Sequence, residues 1–157
     1  MRPMTDVVLF LHIAGVLLFV AGIAVAGVGF EAARRRERPA EIALLLGMTR
    51  SGVALVGLGA LLLLGCGLWL VGLEGDVGYG TGWVDAALAL FVVAMLIGGL
   101  AGQRPKQARL LATRLAEEGA PTSPELRALL DDPLSRAANY ASAALVLAIL
   151  ALMVFKP

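Results

Sequence analysis

Four apolar runs, each about long enough to cross a bilayer, decide most of what this chain can become. They are Val7 to Phe30, broken only by His12; Ser51 to Leu73, preceded by Arg50; Trp83 to Gly102, with Asp85 near its start; and Ala137 to Phe155. Roughly 20 helical residues span a hydrocarbon core. Inside it, only helices and closed barrels satisfy their own backbone polar groups. The runs lack the period-two alternation of barrel strands, so they predict helices. Apolar residues make up 59% of the 157 and charged residues 16%, against roughly 45–50% and 25% in soluble domains. A chain this short has too much surface per volume to bury that surplus. The fold class expected is all-α: a four-transmembrane-helix bundle, forming one integral membrane domain over residues 1–157.

Charge orients the bundle. Arg34, Arg35, Arg36 and Arg38 lie between the first and second runs, with Arg50 at the edge. Arg104, Lys106, Arg109, Arg114, Arg127 and Arg136 lie between the third and fourth. The second connection carries only Glu74, Asp76 and the Gly-rich Gly78 to Gly82. Positive charge marks the cytoplasmic side, so the first and third connections are expected inside and both termini outside. Trp69, Tyr79 and Trp83 then form an aromatic belt at the outer boundary. The alternative, a cleaved signal peptide ending near Ala24 to Ala26, places both Arg-rich connections outside and so breaks the charge rule twice.

The connection from 103 to 136 is read as a short helical hairpin on the cytoplasmic side. Pro105 to Glu118 alternates basic residues with Leu110, Leu111 and Leu115, as an amphipathic helix does. Gly119-Ala120-Pro121 ends it. Ser123 and Asp132 are expected N-caps, each followed by proline at the first helical position. Within the spans, Gly22 with Ala26 and Gly98 with Gly102 repeat at four residues, a spacing that lets helix backbones approach.

Chemistry-bearing groups are few. One cysteine excludes an intramolecular disulfide and a Cys-based zinc site, and one histidine excludes a His pair in a monomer. No phosphate-binding loop, nucleophile elbow or zinc-protease motif is present, so no residue is assigned as catalytic. His12 is the informative group, because a polar side chain in hydrocarbon needs a partner. It sits about five residues, or roughly 7–8 Å, below the outer boundary. Cys66 and Met153 lie at comparable depth, and a His/Cys/Met set suits a soft metal ion or a haem axial position. The competing reading is a histidine hydrogen-bonded to a neighbouring span, the second or the fourth. Arg50 is expected to snorkel to the interface and help fix topology; pairing with Glu41 or Glu31, or a grip on a lipid phosphate, is the alternative. Asp85 is expected to complement the N-terminal dipole of the third helix.

The segment from Leu9 to Gly22, with one histidine ahead of glycines, is similar to the first span of several small bacterial membrane families. The whole chain resembles the family called domain of unknown function 2269, through Arg50, the Gly-rich turn with Trp83, and the Arg-rich third connection. The first span is more distantly similar to CopD-like and HemJ-like membrane proteins, which implies copper or haem at His12. The expectation is therefore a multi-pass bacterial inner-membrane protein acting as a structural or accessory subunit. No cofactor is expected in that reading. Haem or copper at His12 is the alternative, and a small transporter is a second. The partners expected are the lipid bilayer and further membrane subunits or a second copy of the chain, with no nucleic acid.

Overall fold

The computed structural model describes residues 2–73 and 82–155. Tyr79 and most of the Gly-rich turn thus lie outside the described residues. Six helices follow in order: α1 (Arg2–Arg34), α2 (Pro39–Leu73), α3 (Gly82–Ala101), α4 (Gln103–Glu117), α5 (Pro124–Leu130) and α6 (Pro133–Phe155). Four of the helical stretches are long and apolar enough to cross a membrane, as the sequence predicts. Three helices, α1, α2 and α6, run past the expected spans. With 35 residues, α2 is about 52 Å long, well beyond a core of about 30 Å. The excess is its amphipathic N-terminal third, which starts on Pro39, a residue pre-set for the first helical turn.

The tightest helix pair is α1 against α2, and glycine makes it. Gly15, Gly22 and Gly29 recur every seven residues on α1; Gly52 and Gly59 do so on α2. A Cβ added at Gly22 would lie 2.6 Å from the Val56 nitrogen and 2.7 Å from the Gly52 oxygen. One at Gly59 would lie 2.5 Å from the Phe19 nitrogen and 2.8 Å from the Gly15 oxygen. Backbone thus touches backbone along the seam, gaining dispersion contact that larger side chains would block. Ala26 belongs to it, its nitrogen 2.6 Å from a Cβ built on Gly52.

The other expected pair sits differently. Among the described residues nothing lies within 4 Å of a Cβ added at Gly98, and at Gly102 the nearest atom is the Gly98 oxygen of the same chain segment, at 3.2 Å. No described neighbouring helix thus closes on Gly98 or Gly102 as α2 closes on Gly22. Small residues permit close approach without specifying it, and here no neighbour takes the opening.

The span of α3 is joined to α6 as a second pair, and the two pairs meet through larger side chains. Phe19, Ala60, Leu63, Ala87, Phe91 and Ile149 form that core. The Phe19 and Phe91 rings, tilted at 39° with centroids 5.8 Å apart, sit at its middle, within the favoured range for aromatic pairs.

The basic end holds a second core. Phe30, Ala33, Ile42, Leu46, Ala108, Ala112, Leu126, Leu129 and Leu130 bury together, so the expected hairpin of α4 and α5 is docked against the ends of α1 and α2. Local chemistry shapes it. Gly119, at φ +63°, closes α4 with hydrogen bonds from its own N–H to Ala116 (3.2 Å) and from Ala120 to Leu115 (2.9 Å), a Schellman arrangement that needs a left-handed residue. The Ser123 hydroxyl accepts from the Leu126 N–H at 3.1 Å. Asp132 accepts from the Ser135 N–H at 2.9 Å and hydroxyl at 2.8 Å. Both caps are the ones the sequence predicts.

Candidate functional site

His12 projects from α1 across the seam. Its Nδ1 lies 2.9 Å from the Leu63 carbonyl oxygen of α2. A carbonyl only accepts, so Nδ1 is the donor, and in the neutral ring Nε2 then carries the lone pair. The ring lies against Gly67, where an added Cβ would stand 3.1 Å from Cε1 and 3.2 Å from Nδ1. Glycine at 67 therefore makes room for the imidazole. Among the described residues, no hydrogen bond reaches Nε2.

His12 lines a cavity of about 340 Å³ between the two helix pairs, together with Trp83, Phe91 and Met153. The sequence-derived set of soft ligands is thus partly assembled: Met153 shares the cavity, whereas Cys66 is not among its lining residues. Among the described residues no cluster of three His, Cys, Asp or Glu exists. A haem's propionates call for cations, and among the described residues no Lys or Arg lines the cavity. A copper(I) ion fits the donors better, since imidazole and thioether are both soft enough for it.

A second cavity of about 300 Å³ lies on the far side of the Phe19–Phe91 pair, toward the basic end. Thr49, Ser135, Asn139 and Ser142 give it polar walls, and Gly98 and Gly102 line it too. Thr49 is buried, and its hydroxyl donates to the Ala26 carbonyl at 3.4 Å. Sequence reading missed Thr49 because a lone threonine in an apolar helix has no distinguishing pattern.

The arginines of the basic end divide into two groups. Arg34 is largely shielded and bridges Glu31 at 3.0 Å and Asp131 at 3.1 Å. Arg127 donates to the carbonyls of Arg34, at 2.9 Å, and Arg36, satisfying acceptors that the end of α1 leaves open. Thr122 donates to the Glu37 carbonyl. These contacts clasp the α1–α2 connection. Arg35 and Arg38, by contrast, are 77% and 84% exposed, with long contacts to Glu31 and Glu41 of 3.6 and 3.9 Å.

Arg50 does not pair as expected. Glu31 is taken by Arg34 and Arg35, and Glu41 by Arg36 and Arg38. Arg50 is exposed, with no ion pair among the described residues. Asp85 stands in the first turn of α3, where a carboxylate complements the helix dipole.

No curated protein and no solved structure matches the chain. The architecture above, with four helices long and apolar enough to cross a membrane, agrees with a family whose model aligns with the chain. That alignment covers residues 6–157, and the chain accordingly belongs to the family described as predicted integral membrane protein (DUF2269).

Proposed function

We propose that this is a non-enzymatic accessory subunit of the bacterial inner membrane, with its basic end in the cytoplasm and both termini outside. The observation that carries the reading is the division of labour among the arginines. Arg34 and Arg127 are consumed in holding the basic end rigid, while Arg35 and Arg38 stand out from that rigid wall. A preordered cationic rim loses little side-chain and loop freedom on docking. Its charge suits an acidic membrane partner, and its asymmetry sets the orientation. Native electrophoresis of mildly solubilised membranes tests this. The wild type is expected to migrate in a discrete assembly larger than its own 16.3 kDa. Replacing Arg35 and Arg38 together with glutamine should release it while the purified variant melts as the wild type does. A wild type that runs alone contradicts the subunit role.

A second reading, a copper(I) site, is favoured by one observation: His12 and Met153 face the same cavity. In that reading the two would hold the ion, which would supply a one-electron couple or a transfer station for copper. Metal content after expression with copper tests it. A stoichiometric ion in the wild type, lost in both His12→Gln and Met153→Leu, is the expected result.

A further inference from the structure

We propose that the cavity beside His12 binds the head of a membrane-soluble phenol or hydroquinone, whose hydroxyl donates a hydrogen bond to Nε2. This inference does not rest on the subunit reading. It starts from the tautomer. The Leu63 carbonyl fixes the proton on Nδ1, so in the neutral ring the other nitrogen is an acceptor on a residue that lines a mostly apolar cavity. Such an acceptor is stabilised by an O–H donor, which an incoming hydroxyl group supplies. A quinone or an ether has only acceptors to offer and cannot do so.

The walls narrow the class further. Trp83, Phe91 and Met153 line it, and two aromatic rings and a thioether suit a flat aromatic head. The volume of about 340 Å³ lies at the small end of ligand pockets, which run roughly 300–1,000 Å³. That is room for a substituted ring and not for a whole lipid. Leu9 and Leu68 line the cavity and are also 45% and 37% exposed, so its rim reaches the bilayer-facing surface. The ligand enters from lipid and leaves its alkyl tail there.

The test uses the full chain in anaerobic detergent solution with three probes: an alkyl-substituted hydroquinone, the matching quinone, and the hydroquinone's dimethyl ether. The wild type is expected to bind the hydroquinone about tenfold more tightly than either. His12→Leu should erase that difference. Equal affinities in the wild type, or a preference that survives in His12→Leu, overturns the proposal. A polycyclic aliphatic alcohol that binds better than the hydroquinone overturns the aromatic class. So does one equivalent of copper(I) that the hydroquinone fails to displace, because Nε2 then belongs to the metal. Should His12→Leu fail to fold, the wild type alone decides through the ¹⁵N spectrum of its single histidine. Nδ1 should carry the proton, and the Nε2 signal should move with hydroquinone but not with the ether. A proton on Nε2 refutes the proposal outright.

Discussion

Replacing Gly59 with leucine should separate α1 from α2 and abolish the monodisperse folded species. Even a methyl group there would stand 2.5 Å from the Phe19 nitrogen and 2.8 Å from the Gly15 oxygen. Neither is a flexible side chain that can swing away, so the helices must move. Overpacking of a tight core destabilises by about 1–3 kcal/mol, occasionally more, and a branched side chain driven into backbone belongs at the upper end. Gly22→Leu should behave alike, being walled by Val56 and Gly52. Gly65 is the contrast, with nothing within 4 Å of an added Cβ. Gly65→Ala should be neutral or gain up to about 1 kcal/mol of helix propensity. Gly98→Leu should likewise leave the melt nearly unchanged. Size-exclusion profiles after a temperature ramp in detergent read all four. A Gly59→Leu protein as stable as the wild type would mean that the seam is not closely packed.

The second large effect is expected at Leu126, which is fully buried in the core of the basic end. Truncating a buried leucine to alanine destabilises by about 2–5 kcal/mol. Here the loss falls on one short element. With only seven residues, α5 is far too short to persist alone; Leu126, Leu129 and Leu130 hold it in place. In Leu126→Ala, α5 should detach, freeing Arg127 from the carbonyls at the end of α1. Limited proteolysis should then cut between Gly119 and Asp132 while circular dichroism loses little helix. Resistance to cutting equal to the wild type's would show that the core does not fasten α5.

These two effects differ in how far the sequence foretells them. The hairpin is legible, because Ser123, Asp132 and Gly119 act through neighbours a few residues away, where spacing is visible. The four spans are legible for a similar reason: length and apolarity are properties of each segment alone. The glycine seam is only half legible. A four-residue spacing finds Gly22 and Ala26, yet the working repeat is seven, through Gly15, Gly22 and Gly29, matched by Gly52 and Gly59. The same four-residue rule also selects Gly98 and Gly102, because it cannot say whether a neighbour arrives. For His12, polarity in an apolar run signals the site, but its partner is a main-chain carbonyl, which every residue carries. The cavity beside it depends on how two helix pairs lean together, which no single segment carries.

Orientation underlies both the partner reading and the placement of His12 toward the outer leaflet, and one measurement addresses it directly. Single cysteines are placed at Gly75, in the connection without basic residues, and at the exposed Glu118 near the end of α4, in a Cys66→Ser background. A membrane-impermeant thiol reagent is then applied to intact cells and, separately, to permeabilised ones. The charge distribution predicts labelling at Gly75→Cys in intact cells and at Glu118→Cys only after permeabilisation. Labelling of Glu118→Cys in intact cells, with Gly75→Cys protected, would contradict the account.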